Sequence, residues 1–400
     1  MNRSETTGDA ATTTAAAIEA CARESLALLE RNLSAHGILA ASRTGAAEAR
    51  RYTRIFGRDG AICALAMCGS GDARLEQGAI DTLDALAREQ AGNGQIPKYV
   101  DPDGRDADFW YLGCIDATLW WLIAVDHLRR HGTVGAARWQ DGVARAIGWL
   151  LAQEHQHFRL LQQNEASDWA DIMPRSGYVL YTNALWVEVK RRFALADAEA
   201  TQHHFKHLFD PFQHDLPEYH RARLLRHYAR RGRRDGGLYL SFVNLAFAGN
   251  EGDVFGNVLA ILCGAAGESK GHGIVQTLAS ARASAPYPIR VVLHPLSREH
   301  ELWRPYMARH QQNRVHQYHN GGVWPFVGGF WVMALARLGL RDMAWQQLGE
   351  LARVNALDGW RFTEWFHGRS GVPMGMAGQS WNAATFLLAR RALQQGGRAW

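Results

Sequence analysis

Apolar residues recur with the period of an α-helix along most of the chain, and stretches that alternate like β-strands are few. The predicted helices are of two kinds. One kind has a charged face and an apolar face, whereas the other is apolar on nearly every side. Because a helix with a charged face lies at a surface and a uniformly apolar helix lies in a core, the pattern predicts an all-α protein with outer and inner helices.

The two kinds of helix alternate strictly along the sequence. The predicted outer helices are 16–32, 74–90, 137–155, 198–230, 274–283 and 341–354. The predicted inner helices are 61–68, 117–128, 180–193, 254–264, 323–338 and 381–392. Six outer and six inner helices in alternation predict one double-layered (α/α)6 barrel over residues 16–400, after a disordered N-terminal tail over residues 1–15.

A polar segment that contains glycine precedes each predicted inner helix. The segments are GRDG (57–60), LGCID (112–116), SDWADIMPRSG (167–177), GNEGD (249–253), YHNGG (318–322) and GMAGQSWN (375–382). Since the inner helices of such a barrel all run in one direction, the segments are expected to meet at one mouth. Helix capping accounts for part of their polarity. Capping does not account for the tryptophans close to them, namely Trp110, Trp120, Trp121, Trp169, Trp324, Trp365 and Trp381.

A mouth lined with carboxylates, amides and flat aromatic faces suits a sugar ring, which stacks on aromatic groups and hydrogen-bonds through its hydroxyls. The sequence contains no GxSxG, Walker, GxGxxG or HExxH motif. The histidines of HHFKH at 203–207 have no third ligand at a suitable spacing and are interpreted as a surface cluster. A carbohydrate ligand is therefore expected, with no cofactor and no metal.

Composition and cysteine spacing indicate which class of protein this is. With 47% hydrophobic and 21% charged residues, the chain has a globular composition, and its five cysteines lack the spacing of a disulfide framework or a zinc ribbon. No signal-peptide pattern and no bilayer-spanning apolar run is present. A cytoplasmic protein with no membrane partner is predicted, and an oligomer is possible.

The net charge of +5 depends largely on residues 220–234, which contain seven arginines. Surfaces that bind nucleic acids combine basic residues with stacking aromatic residues, whereas this stretch has a single tyrosine. A solvated outer helix and loop is predicted there, and no nucleic-acid partner.

Two carboxylates are the candidate catalytic groups, because glycoside hydrolysis needs two of them around the scissile bond. Asp116 begins a predicted inner helix close to Trp110, Trp120 and Trp121, and an apolar setting of this kind raises the pKa of a carboxyl group. Its alternative role is helix capping. Glu364 lies among aromatic residues in a loop.

The alternative role of Glu364 is an ion pair with Arg361 or Arg369. Asp59, Asp168 and Asp171 are candidates for binding sugar hydroxyls, with helix capping as their alternative.

Four motifs occur in order over residues 51–392: FGRDGAICALAM, DATLWWLIAV, YHNGGVWPFVGGFW and TEWFHGRSGVPMGMAGQSWNAATFLLA. They resemble the (α/α)6-barrel glycosidases of the neutral/alkaline invertase family and are similar to the glucosidase domain of glycogen-debranching proteins. The resemblance implies that Asp116 is the general acid and Glu364 the general base. It also implies a sugar site formed by Arg58, Asp59, Trp120, Trp121, His319, Asn320, Trp324, Gln379, Ser380 and Trp381.

The resemblance implies an inverting hydrolase that releases an α-linked glucosyl unit, with sucrose as the first candidate substrate. The alternative substrates are α-1,6-linked short glucans and glucosyl polyols. Two other functions stay open. An N-acylglucosamine 2-epimerase-like isomerase would use His294, His319 and His367 as acid and base, and a sugar-binding protein would have no activity.

Overall fold

The computed structural model describes residues 4–103, 106–212, 224, 227, 229, 237–245, 247–397 and 400, with side chains from residue 13 onwards. The outer helices among them are α1 (Ser4–Asn32), α4 (Ala73–Arg88), α6 (Gln140–Gln153), α8 (Ala198–Phe209), α10 (Glu268–Ser280) and α12 (Arg341–Trp360). The inner helices are α3 (Gly57–Met67), α5 (Ile115–Arg130), α7 (Leu180–Arg192), α9 (Val254–Leu262), α11 (Pro325–Arg337) and α13 (Ser380–Gln394). A short helix, α2 (Gly45–Ala49), and a 3-10 helix at Pro305–Gln311 lie in connections.

The inner helices form a closed ring. Each packs against the next inner helix in the chain, from α3 through α5, α7, α9 and α11 to α13, and α13 packs back against α3. The outer helices α4, α8, α10 and α12 each pack against the inner helix that precedes them, and α1 packs against α12 and α13. This arrangement is an (α/α)6 barrel, and it confirms the fold predicted from the alternation of helix types.

The inner helices are buried on all sides, as their composition predicts. In α11 every residue from Pro325 to Ala336 is buried, so this helix has no solvent-exposed face apart from its last residue. Close packing of inner helices depends on small residues where they cross. A Cβ atom at Gly329 of α11 would lie 2.6 Å from the Cβ of Thr385 in α13, so only glycine fits there without displacement of the neighbouring helix.

Nine two-residue strands lie in the connections between helices among the described residues. Their bounds are β1 Leu33–Ser34, β2 Gly37–Ile38, β3 Ile55–Phe56, β4 Tyr99–Val100, β5 Ala107–Asp108, β6 Tyr178–Val179, β7 Phe242–Val243, β8 Trp365–Phe366 and β9 Pro373–Met374. All pairs are antiparallel, in the orders β1-β2, β3-β4-β5, β6-β7 and β8-β9. Strands β3, β6 and β8 precede inner helices, so these small sheets hold the loops that carry the predicted mouth residues.

The structure differs from the sequence prediction at the N-terminus. Helix α1 begins at Ser4, so residues 4–15 are helical where a disordered tail is predicted. The segment contains five threonines, which have low helix propensity, so contacts made by the helix, such as that of Thr14 with α12, outweigh local preference. A Cβ at Gly349 would approach the Cγ2 of Thr14 to 2.6 Å, so this glycine makes room for α1.

Helix α8 is shorter than predicted, because it ends at Phe209 rather than extending towards residue 230. Pro211 follows two residues later and has no N–H with which to continue a helix. The arginine-rich stretch 220–234 lies outside the described residues except for 224, 227 and 229. Within the part of the chain that the structure describes, no helix combines the length and the apolar character needed to cross a bilayer.

Candidate active site

The polar segments in front of the inner helices contact one another at one end of the barrel. Arg58, in the first turn of α3, forms an ion pair with Asp116, in the first turn of α5, with 3.0 Å between Nη1 and Oδ2. The N–H of Ile115 donates to the carbonyl of Ser167 at 3.0 Å. Arg175 in turn pairs with Glu251, with 3.0 Å between Nε and Oε1. These contacts connect four of the six segments.

Aromatic contacts connect the remaining two segments to the others. The rings of Trp169 and His319 lie 4.9 Å apart, and those of Trp324 and Trp381 lie 5.8 Å apart. The guanidinium group of Arg58 lies 5.7 Å from the ring centre of Trp381, so the last segment meets the first. The predicted common mouth is therefore present.

Asp116 is fully buried in the first turn of α5 and contacts three side chains. Its Oδ2 pairs with Arg58 and accepts a hydrogen bond from the Tyr181 hydroxyl at 2.9 Å, and its Oδ1 accepts from the Cys114 thiol at 3.2 Å. Helix capping would require bonds to the N–H groups of α5, so capping does not describe the contacts of Asp116. Its surroundings are polar, whereas the sequence prediction assumes an apolar pocket of tryptophans.

The predicted tryptophan pocket is wrong for a geometric reason. Nε1 of Trp121 donates to the carbonyl of Leu83 in α4 at 3.2 Å, and its ring packs on Trp139, so Trp121 lies between the two helix layers and not at the mouth. Trp120 reaches the site only through a neighbour, because its Nε1 donates to the Tyr181 hydroxyl at 2.8 Å. Trp110 is the tryptophan of this group that lies beside a mouth residue, with Lys98 4.0 Å from its ring centre.

Glu364 is buried just before β8 with both oxygens hydrogen-bonded. Oε1 accepts from the Tyr52 hydroxyl at 2.7 Å, and Oε2 accepts from the N–H of Met376 at 2.8 Å. The predicted alternative, an ion pair with an arginine, is absent, since Arg361 lies 3.9 Å from Asp358 instead. Gly375 is required here, because its φ is +75° and a Cβ would lie 2.3 Å from Oε2 of Glu364.

Two buried carboxyl groups at the mouth, those of Glu364 and Asp168, have pKa values that favour proton transfer near neutral pH. Burial raises the pKa of Glu364 to about 7, although the hydrogen bonds from Tyr52 and Met376 oppose the shift. Burial also raises the pKa of Asp168 to about 6, against the attraction of Arg175 and with a further rise from Asp116. Carboxyl groups that titrate near neutrality can both give and take protons during a reaction cycle.

The raised pKa of Glu364 predicts a pH-dependent loss of stability. Between the unperturbed pKa of 4.5 and about 7, the folded state holds a proton that the unfolded state releases, so stability falls as pH rises through this window. The shift corresponds to about 3 kcal/mol. We expect Glu364→Gln to remove this dependence. The melting temperature of the variant minus that of the unmodified protein should therefore increase from pH 5 to pH 8.

A matched control for this experiment is Glu48→Gln, which removes the same charge from an exposed position of α2. The difference in melting temperature between this variant and the unmodified protein should stay constant over the same pH range. An equal pH trend in both variants would show that net charge, and not the buried Glu364, is responsible.

Several buried polar atoms at the mouth have no hydrogen-bond partner among the described residues. They are Nδ1 of His319, both amide atoms of Gln379 and the Nε1 atoms of Trp169 and Trp381. Asp59 differs from them, because its Oδ2 forms an ion pair with Nε of Arg58 at 3.3 Å. An unpaired buried polar group is destabilising by about 1–3 kcal/mol, so a cluster of them marks a place where a polar ligand binds. The sequence predicts a sugar-site role for Asp59, His319, Gln379 and Trp381. It does not predict one for Trp169.

Other predicted residues differ in how far they are available to a ligand. Asp171 lies 3.2 Å from Lys98, and although burial opposes its ionisation, Lys98 and His319 hold its pKa below the usual value. Burial lowers the pKa of His319 to about 3, so its ring is neutral, and it stacks on Trp324. Asn320 is occupied by the backbone, since its side chain bonds both the N–H and the carbonyl of Leu296. Asn320 therefore shapes the loop rather than binding a sugar.

Sequence reasoning did not identify three groups that position the site. Tyr52 and Tyr181 hold Glu364 and Asp116, and Arg175 pairs with Glu251 and lies 3.2 Å from Asp253. The tyrosines lie in a loop and in an inner helix, and neither belongs to one of the polar segments that predict the mouth. Arg175, within SDWADIMPRSG, was the one group with a signal, as the basic residue of an otherwise acidic mouth segment.

Part of the chain is similar in sequence to known invertases. Residues 237–396 match the family model described as alkaline and neutral invertase. The mitochondrial neutral/alkaline invertase 1 of Oryza sativa subsp. japonica is 27% identical over 143 residues, which are 34% of this chain and 22% of the rice protein. The chain thus spans less than a quarter of the length of this relative. Glu364 lies within the family match, and Asp116 lies outside it.

Solved structures resemble the whole chain. A GH63 mannosylglycerate hydrolase from Thermus thermophilus, in complex with Tris and D-glycerate, has a TM-score of 0.64 and 14% identity and covers 92% of this chain and 99% of its own. A glycosidase in complex with glucose has a TM-score of 0.61 and 18% identity over 95% of this chain and 97% of its own. The chain therefore has the fold of these glycosidases, and its residues 237–396 are similar to the alkaline and neutral invertases.

Proposed function

We propose that the protein is an inverting glycoside hydrolase that releases an α-linked glucosyl unit from a small saccharide, with sucrose as the first candidate. The observation that carries this proposal is the pair Asp116 and Glu364. Both carboxyl groups are buried at one mouth, where buried polar atoms of Gln379 and Trp381 have no hydrogen-bond partner among the described residues.

In the proposed reaction, Asp116 enters in its protonated form and donates this proton to the glycosidic oxygen as the bond from that oxygen to the anomeric carbon breaks. The remaining Asp116 carboxylate pairs with Arg58. Glu364 accepts a proton from a water molecule whose oxygen bonds to the anomeric carbon from the opposite side. The released sugar carries the proton from Asp116, and the glucose carries the hydroxyl of the water. Before the next turnover, Asp116 takes up a proton from the solvent and Glu364 releases one to it. Inversion requires carboxyl groups about 6.5–9.5 Å apart, which leaves room for that water.

The surrounding residues hold both carboxyl groups in place. Arg58 and Tyr181 orient Asp116, while Tyr52 and the backbone of Met376 orient Glu364. A base with a pKa of about 7 is strong enough to take a proton from water in the transition state and is largely ionised at slightly alkaline pH.

We expect sucrose to be hydrolysed faster than isomaltose, panose, trehalose, kojibiose and glucosylglycerate at equal concentration, with each released sugar identified. A site whose buried groups match one leaving group can reject another by about 10⁴-fold, because its polar atoms are left unpaired. Mannosylglycerate belongs in the panel because the Thermus hydrolase with this fold is named for it. Cleavage of isomaltose or panose about a hundredfold faster than sucrose would replace the invertase proposal with an α-1,6-glucosidase.

The same panel separates the remaining functions. An isomerase would convert an N-acylated sugar without releasing a second product, and a sugar-binding protein would bind without turnover. The half-buried His367 accepts a hydrogen bond from the N–H of Ser370 in its own turn, and the neutral His319 is a poor proton donor, so the histidine-based isomerase has less support than the carboxylate pair. A cytoplasmic location remains a prediction, and the rice relative is named as mitochondrial.

A further inference from the structure

At the end of the barrel opposite the mouth, the C-terminal ends of α3 and α5 lie side by side. Cys68 follows the last residue of α3, His127 lies in the last turn of α5, and His131 follows the end of α5. One potential ligand atom of each residue lies within 4.8 Å of those of the other two. Cys68 and His127 are buried, and His131 is exposed.

The histidines are well disposed to donate lone pairs. Nε2 of His127 has no hydrogen-bond partner among the described residues, although the side chain is only 2% exposed. Burial lowers the pKa of His127 to about 2, so the ring is neutral. His131 lies four residues later on the same helix face, with its ring 4.0 Å from that of His127 and its Nδ1 3.0 Å from the carbonyl oxygen of His127.

We propose that Cys68, His127 and His131 bind a divalent transition-metal ion of the zinc class, with a water molecule as the fourth ligand. One thiolate and two imidazoles are the ligand types that Zn²⁺ and Co²⁺ prefer, and three protein ligands form a tetrahedral site with one open position. Metal–ligand bonds of about 2.0–2.3 Å require the three side chains to close around the ion from their present separation.

Two guanidinium groups lie near the cluster, and only that of Arg192 is balanced by carboxylates among the described residues. Arg391 is occupied by the carbonyls of Cys68 and Ala66, at 2.8 and 2.7 Å, and Arg192 pairs with Asp126 and Glu188. The Thr133 hydroxyl lies 3.3 Å from the sulfur and can donate to a thiolate.

Binding must also displace a proton. Burial raises the pKa of the Cys68 thiol, although Thr133 and Arg391 oppose the rise, so the free thiol is protonated near neutral pH. When the sulfur–metal bond forms, this proton passes to the solvent, so binding weakens as pH falls.

The position of the site indicates a structural role. Helix α3 carries Arg58 at its mouth end and α5 carries Asp116, whereas the metal would join the opposite ends of the same two helices. Eleven residues of helix span about 15 Å, so the ion lies too far from the mouth to contact the substrate. A metal that binds only the folded state raises the melting temperature.

The test uses Co²⁺ as a spectroscopic probe on the full chain, with Zn²⁺ as competitor. We expect one equivalent of Co²⁺ to produce a thiolate-to-metal charge-transfer band and the visible bands of four-coordinate cobalt, with release of one proton. Cys68→Ser should abolish the charge-transfer band, and His131→Ala should weaken binding by more than about a hundredfold. The exposed position of His131 makes that variant the one least affected by folding defects.

Two controls keep the result specific. Cys63→Ala removes another buried thiol of α3, and the pair His203→Ala with His207→Ala removes the histidine pair of α8. Both controls should retain the band and the rise in melting temperature with Zn²⁺. A band that survives Cys68→Ser, or Zn²⁺ binding that His203→Ala and His207→Ala abolish, would overturn the proposal, as would the lack of any charge-transfer band in the unmodified protein.

Discussion

Asp116→Asn is expected to lower kcat/KM on sucrose by about 10² to 10⁴-fold. Asparagine has the size of aspartate and can still accept the hydrogen bond from Tyr181, but it has no proton to give to the departing oxygen. The loss should be much smaller on α-glucosyl fluoride, because fluoride leaves without needing a proton. The measurement is kcat/KM of both proteins on both substrates.

Asp126→Asn is the matched control, because Asp126 lies at the other end of the same helix and pairs there with Arg130 and Arg192. Its activity should stay close to that of the unmodified protein on both substrates. If Asp116→Asn loses the same factor on sucrose and on the fluoride, Asp116 is not the proton donor. Asp168, whose pKa is raised to about 6, would then be the next candidate.

Glu364→Gln is expected to lower kcat/KM by about 10² to 10⁴-fold on both sucrose and the fluoride, since each reaction needs an activated water. In the unmodified protein, Glu364 must be ionised to act as a base. Activity should therefore decrease as pH falls through about 7, the pKa to which burial raises this group. The measurement is kcat/KM as a function of pH.

Tyr52→Phe provides a readout that a purely structural role would not affect. It removes a hydrogen bond that stabilises the ionised form of Glu364, so the acidic limb of the pH profile should move to higher pH. Tyr306→Phe removes a comparable bond to Glu165, outside the proposed catalytic pair, and should leave the limb in place. A limb that does not move in Tyr52→Phe would show that another group controls it.

The sequence alone determined the architecture and singled out Asp116 and Glu364 as candidate catalytic groups. A helix that is apolar on all sides can only be an inner helix, so the alternation of the two helix types predicts the closed ring. The direction of the inner helices then predicts that segments such as 57–60 and 112–116 meet. Asp116 and Glu364 stand out because each is a charged residue in an otherwise apolar and aromatic stretch.

Only the tertiary structure decided the partners of these groups. Trp121 is close to Asp116 in sequence, but its position on the turn of α5 directs its side chain towards α4. Closeness in sequence does not show which way a side chain points. Tyr52 lies more than three hundred residues before Glu364 and carries no motif, so their hydrogen bond exists only because the ring of helices closes.

Tertiary packing also explains why one histidine cluster is visible in the sequence and the other is not. His203 and His207 are visible in the sequence because they are neighbours on one helix, whereas Cys68 joins His127 and His131 only through the packing of α3 against α5. Periodicity reports which face of a helix is buried. Which residues meet across two buried faces depends on the crossing of the helices and on side-chain directions, and these are properties of the packed core.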